Sequence, residues 1–237
     1  TIPNCVAYDP TFAYELVVIL HDGMKRMYEN KENVFYYVTA MNENYVQPAM
    51  PEGVEDGIRK GIYLYKKGSR KKTRVQLLGS GTILREVIAA AQLLEDDFGI
   101  AADVWSVTSF NELTREGMDV ERWNMLHPDK KARVSYVEKT LSGTKGPIVA
   151  ATDYMRSYAD QIRKFLGGKH YAVMGTDGFG RSDMRSQLRK FFEVNSFYVV
   201  VGALKALADE GEIEARVVTQ AIKKYGIDPE KPNPTTV

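Results

Sequence analysis

Apolar and polar positions along this chain follow two rhythms. Phe12, Leu16, Ile19, Leu20 and Met27 recur at helical spacing, and Asp9-Pro10 ahead of them predicts a helix start. Asp9 would cap the free N–H groups and Pro10 would fill the first helical position. Residues 34–38, Val-Phe-Tyr-Tyr-Val, form an aromatic and β-branched run of strand length. A polar loop, Asn42-Glu43-Asn44-Tyr45, and then Pro48 and Pro51 follow, and residues 52–63 read as a short helix. From residue 75 onward strand and helix patterns alternate. Strands are expected at 75–78, 103–107, 147–151 and 171–174. Helices are expected at 82–97, 110–115, 120–125, 154–165, 184–192, 196–209 and 213–225. This alternation predicts an α/β fold, an open and mostly parallel sheet with helices on both faces.

Residues 66–74, KKGSRKKTR, hold six basic residues and no acid. The stretch reads as a solvated linker between a unit at 1–65 and a larger one at 75–237, with an anionic-ligand patch as the other reading. The tail, 229–237, reads as frayed. Composition adds limits. In 237 residues, 44% are hydrophobic and 27% charged, the proportions of a chain that buries a core. A net charge of +1 argues against a dedicated nucleic-acid or membrane-surface protein. No apolar run approaches the ~18 residues that span a bilayer. The single Cys5 excludes an internal disulfide and a multi-cysteine metal site, and points to a reducing, cytoplasmic setting. The opening Thr1-Ile2-Pro3-Asn4 reads as a cut inside a longer protein.

Four places could carry chemistry. Gly79-Ser80-Gly81 sits between a strand and a helix, where a nucleotide phosphate could rest, but Leu84 replaces the third glycine of the dinucleotide pattern. Asp103 falls near the start of the next strand, not at its end where a ribose ligand belongs, so a tight turn is the other reading. The loop at 175–183 resembles a phosphate cradle with Arg181 as an added charge, or a glycine turn in which Ser182 or Asp183 caps the next helix. Asn195 follows Gly178 too closely for a Mg2+–diphosphate motif. His21, His127 and His170 have no ligand spacing to one another. Asn42, Glu43, Asn44 and Tyr45 cluster just past a strand, where ligands gather in parallel sheets, and form the candidate substrate-channel set.

The strings V-Q-L-L-G-S-G-T-I-L, S-V-T-S-F and G-T-D-G-F-G-R-S-D-M-R-S-Q-L-R-K-F-F-E-V resemble the C-terminal domain of transketolase-like thiamine-diphosphate enzymes. Y-D-P-T-F-A-Y-E, N-E-N-Y-V-Q-P-A-M-P-E-G-V-E-D-G-I-R-K-G and E-R-W-N-M-L-H-P narrow the resemblance to the homodimeric, decarboxylating first component of bacterial pyruvate dehydrogenase complexes. The resemblance implies that residues 1–65 end a pyrimidine-binding domain and that 75–237 form the C-terminal domain. It implies pyruvate decarboxylation on thiamine diphosphate with Mg2+, a homodimer, and acetyl transfer to a lipoyl group of the dihydrolipoyl acetyltransferase component. The cofactor, metal and catalytic residues of such enzymes lie upstream of Thr1. No catalytic, cofactor or metal role therefore transfers to a residue here, and this stretch alone is expected to be inert, a dimerisation or scaffold region. Sugar-phosphate relatives carry a phosphate-gripping arginine near the position of Met41–Glu43, and its absence fits an unphosphorylated keto acid. The competing expectation is a nucleotide-binding oxidoreductase that uses Gly79–Gly81.

Overall fold

The structure is a computed structural model that describes residues 2–237; Thr1, the first residue of the expected N-terminal unit, lies outside them. Strands β1 (Cys5–Tyr8) and β2 (Phe35–Val38) pair in parallel, joined by helix α1 (Ala13–Met24) and the π-helical turn Lys25–Glu29. Helix α2 (Glu55–Lys60) stops at Gly61, whose φ of +102° turns the chain into β3 (Ile62–Lys66). Then come β4 (Arg74–Gly79), α3 (Ile83–Phe98), β5 (Ala101–Val107), α4 (Phe110–Leu126), α5 (Tyr136–Leu141) and β6 (Ile148–Ala151). The chain continues through α6 (Arg156–Asp160), β7 (Tyr171–Met174), α7 (Arg185–Phe191), α8 (Ser196–Asp209) and α9 (Ala215–Lys224).

The second sheet has the order β3-β5-β4-β6-β7, and only β3 runs antiparallel. Its central strands β4, β5 and β6 are buried on both faces, as parallel strands covered by helices are. Val75 and Leu77 of β4 pack with Val87, Leu94, Val200 and Leu204 of α3 and α8 on one face. Leu78 points the other way, into the layer of Phe110, Leu113, Val137 and Leu141 from α4 and α5. A smaller core of Val6, Tyr8, Ile19, Ile58 and Tyr63 lies beneath β1 and β2. The α/β class and the mostly parallel sheet stand as the patterns predict.

Several details differ from the expectation. β1, β3 and α5 have no counterpart among the expected elements. Residues 62–66, assigned to the first unit, are instead the edge strand of the second sheet, hydrogen-bonded to β5. The basic stretch is anchored as well as solvated: Gly68 N–H donates to Asp103 Oδ1 at 2.9 Å and the Arg74 guanidinium to the same oxygen at 2.5 Å. The two helices expected at 110–125 are one, because Gly117 lets the helix lie against the Phe165 ring, 2.8 Å from where a Cβ would stand. The helix expected over 154–165 shrinks to α6 and a 3-10 turn at Arg163–Phe165. The tail is not frayed: Pro234 is buried, and Lys231 Nζ donates to the Phe191 carbonyl at 2.6 Å. Residues 185–209 are long and apolar enough by composition to cross a membrane. They are broken at Glu193, whose φ is +63°, and α8 buries Val199, Val200 and Leu204 in the core.

Asp9 does not cap α1, which begins four residues later. Its buried carboxylate accepts from the hydroxyls of Thr39 (2.9 Å), Tyr154 (2.8 Å) and Tyr158 (3.0 Å). The cap is Glu15, whose Oε2 accepts from the N–H groups of Thr11 (2.5 Å) and Phe12 (2.9 Å). Its Oε1 accepts from the hydroxyls of Tyr63 and Ser106, both at 2.6 Å. One fully buried carboxylate thus ties α1 to both sheet strands.

Candidate functional site

The chain leaves β4 for β5 on one side of the sheet and reaches β6 and β7 on the other. The carboxyl ends of β4 and β6 therefore flank a topological switch point, where open α/β sheets hold ligands. A cavity of about 350 Å³ opens beside this point, lined by side chains from the 41–43 loop, the β6 end, the loop after β7, and α7.

Glu43 is the hinge of this site. Its carboxylate accepts from Arg189 at 2.5 Å and from the Thr82 hydroxyl at 2.9 Å, and it forms an ion pair with Arg85 at 2.6 Å. Burial raises its pKa, but these charge-assisted bonds outweigh that and hold it down to about 2. Arg189 also pairs with Glu86 at 3.0 Å, which locks α7 onto α3. Asn42 Oδ1 accepts from Arg185 at 2.5 Å. Asp153, just past β6, faces the same cavity; partial burial raises its carboxyl pKa, Arg189 opposes, and Glu43 adds to the rise.

The expected set is thus divided. Asn42 and Glu43 line the cavity. Asn44 is exposed. Tyr45 turns away: its hydroxyl donates to the Thr11 carbonyl, its ring packs edge-on against Phe12, and Arg85 stacks 4.4 Å over it. Arg85, Arg185, Arg189 and Asp153 were outside that set. Arginines from α3 and α7 converge on Glu43, which residue adjacency alone cannot reveal. The i, i+4, i+8 spacing of Arg181, Arg185 and Arg189 was the available signal.

The Gly79-Ser80-Gly81 turn is closed to a nucleotide. Gly81 N–H donates to the Asp9 carbonyl at 3.1 Å, and the Thr11 hydroxyl donates to the Gly81 carbonyl at 2.6 Å. Ser80 is buried with its hydroxyl on Thr152 at 3.1 Å, and Asp103 serves Gly68, Arg74 and Gln76 instead of a ribose. In the loop at 175–183, Gly178 has φ +101° and lies against the tail, where a Cβ would stand 2.7 Å from the Pro234 carbonyl. Neither Ser182 nor Asp183 caps α7; Met184 occupies that position, and Asp183 Oδ1 accepts from the Met184 N–H at 2.7 Å. His127 stacks on Trp123 with ring centres 4.4 Å apart, a packing contact.

The transketolase-like TK C-terminal domain family matches residues 61–195, more than half of the chain. The chain belongs to that family. The pyruvate dehydrogenase E1 component middle domain matches residues 1–48, ahead of the transketolase-like domain. Among curated relatives, the pyruvate dehydrogenase E1 component of Pseudomonas aeruginosa is 62% identical over 99% of this chain and 27% of that protein. Its namesake from Escherichia coli K12 is 56% identical over 99% of this chain and 26% of that protein. The chain therefore spans about a quarter of the length of these relatives. Transketolase from Leishmania mexicana superposes with a TM-score of 0.60 at 16% identity, covering 88% of this chain and 26% of that one. A Pichia stipitis transketolase mutant gives 0.57 at 19%, covering 89% and 26%. These likenesses show the transketolase-like fold.

The fold family implies thiamine diphosphate, and the donor chemistry here does not fit it. Among the described residues no group of three or more His, Cys, Asp or Glu is placed to hold a metal ion. The Asp177 carboxylate, the acid of the 175–183 loop nearest to a diphosphate motif, is committed to Arg156.

Proposed function

We propose that this chain is the C-terminal part of a pyruvate dehydrogenase E1 component, working in the cytoplasm as part of a homodimer. The parent protein decarboxylates pyruvate on thiamine diphosphate with Mg2+ and passes the acetyl group to a lipoyl group of the dihydrolipoyl acetyltransferase component. The observation that carries this reading is the 62% identity to such a component across 99% of the chain. Within that protein the chain acts as a scaffold. Glu15 and Asp9 fasten the N-terminal strand–helix unit to the five-stranded sheet, so the polar 42–45 loop is held at a fixed height above the switch point. Glu43, clamped by Arg85 and Arg189, keeps that loop in register with α7. The chemistry of decarboxylation belongs to the bound cofactor, and these residues supply position.

The test is complementation. The 237-residue chain incubated with pyruvate, thiamine diphosphate, Mg2+ and an artificial electron acceptor is expected to show no turnover. Co-expressed with the preceding three-quarters of a relative, it should restore pyruvate-dependent turnover. Turnover by the chain alone would overturn the scaffold role, and a correctly assembled pair that remains inactive on pyruvate would overturn the assignment.

A further inference from the structure

The basic stretch between β3 and β4 has no task in the scaffold. It lies at the amino end of the large sheet, where Lys66 stands opposite Val104 and Arg74 opposite Ala101, and the cavity described above lies beyond the carboxyl ends. Lys66, Lys67, Arg70, Lys71 and Lys72 are exposed. None of the five pairs with a carboxylate among the described residues, and the acid against the loop, Asp103, is taken by Arg74, Gln76 and the Gly68 N–H. The backbone that carries these charges is anchored. A Cβ on Gly68 would stand 2.5 Å from the Ala102 carbonyl, so the chain lies flat on β5 there, and Arg74 bonds both Asp103 and the Ser69 carbonyl. The basic face continues past the loop. A Cβ on Gly146 would stand 1.8 Å from the Arg74 carbonyl, and the Lys145 carbonyl accepts from Gln76 at 2.9 Å, which sets the exposed Lys145 beside the start of β4. Lys169 follows, its ammonium donating to the Thr144 carbonyl at 2.6 Å and the Gly146 carbonyl at 3.4 Å. Acids border this face. Burial lowers the Lys169 pKa and Glu210 opposes that shift, and Asp96 is exposed on the last turn of α3, just ahead of the Ala101 N–H that donates to the Thr73 carbonyl at 3.2 Å. Like charges gathered on an anchored loop repel one another, and an opposite charge relieves them. A loop that is already ordered loses little freedom on binding.

We infer that this face docks an acidic protein segment, a short extended run of Asp and Glu side chains presented by a partner. Arg70 takes a carboxylate with its guanidinium fork, and the lysines on either side act as point charges for the next ones. Three observations favour protein carboxylates over other polyanions. Residues 66–74 hold no aromatic side chain on which a nucleobase could stack. The net charge of +1 and the bordering Asp96 and Glu210 leave a short positive surface, which fits a short segment and repels a long phosphate backbone. Among the described residues, no exposed large hydrophobic side chain lies between Met50 and Met118 to enter a bilayer beside the loop. The surface is at the opposite end of the sheet from the Glu43 clamp, and docking there does not depend on the chain's being part of a dehydrogenase.

The test is fluorescence anisotropy of a short labelled poly-glutamate peptide titrated with the 237-residue chain, with circular dichroism as the folding control. The peptide should bind, and its affinity should fall at least about tenfold between ~0.01 M and ~0.15 M ionic strength, as the Debye length shortens from about 30 Å to about 8 Å. K71E/K72E should weaken binding at least about tenfold at low ionic strength while leaving the spectrum unchanged. K25E/K190E makes the same change in net charge at exposed lysines elsewhere and should alter the affinity by less than about twofold. Labelled oligothymidylate and phosphatidylserine vesicles should bind more weakly than the peptide. No peptide binding at low ionic strength, equal losses in the two double variants, or tighter binding of the oligonucleotide or the vesicles would overturn the proposal. None of these outcomes bears on turnover with pyruvate, so the two proposals fail separately.

Discussion

Single side chains decide how this molecule holds its loops. Glu43 has an ordinary pKa of 4.5 that falls to about 2 in the folded chain. A carboxylate whose pKa is depressed on folding stabilises the folded state above its unfolded pKa, and that contribution is lost as the pH falls through the folded value. Glu43→Gln should therefore cost about 1–3 kcal/mol at neutral pH, the range for charge-assisted bonds. Urea titrations of both proteins should show the difference shrinking below pH 4.5 and vanishing near pH 2. Arg189 keeps Glu86 in the variant, which limits the loss. At Gly178 the penalty is backbone strain combined with a steric clash, since φ is +101° and the Pro234 carbonyl lies 2.7 Å from a Cβ. Gly178→Val should lower stability by about 1–3 kcal/mol or more, read as a fall in Tm. It should also loosen the tail, seen as faster proteolysis beyond Lys231.

At the scale of elements, the basic stretch gives the sharpest forecast. Lys66, Lys67, Arg70, Lys71 and Lys72 are exposed, whereas Arg74 is tied to Asp103 and the Ser69 carbonyl. Trypsin should cut first at 70–72. The nicked chain should still elute as one species on size exclusion, because β3 precedes the cut and remains paired with β5. A free, stable piece beginning near residue 73 would contradict this pairing. Strands β4, β6 and β7 and helices α3, α8 and α9 were legible in the sequence because each carries an unbroken period. β3 was not, because Ile62 and Tyr63 also continue the period of the helix before them, and only the left-handed Gly61 separates the two. α4 was read as two helices because Gly117 interrupts its pattern, and the compensating contact, Phe165, is remote in sequence. The 42–45 loop was half legible. Its position past β2 is a local fact, whereas the arginines that clamp Glu43 arrive from two distant helices.

At the scale of the whole molecule, the carboxylates of Asp9 and Glu15 cross the gap between the two sheets. Ser109 Oγ adds a bond to the Ala7 carbonyl at 2.6 Å, and Asp9 N–H donates to the Thr108 carbonyl at 2.7 Å. With so many satisfied groups across one seam, the chain should melt in a single calorimetric transition. Glu15→Ala leaves the Thr11 and Phe12 amides and the Tyr63 and Ser106 hydroxyls without their acceptor. It should lower stability by about 2–4 kcal/mol. If instead it splits the transition in two, the sheets are only loosely joined.

The small sheet has a further consequence. The large sheet ends at β3, where a register shift between Leu64 and Lys66 and the lysines after it blunt the edge. β2 has no strand beyond it among the described residues, and Phe35 and Tyr37 are exposed on its face. An open row of backbone donors and acceptors beside aromatic side chains is a template for another strand. Handled by itself at high concentration, the chain therefore carries its colloidal weakness at β2, and precipitation would begin with strands adding to that edge while the large sheet stays folded.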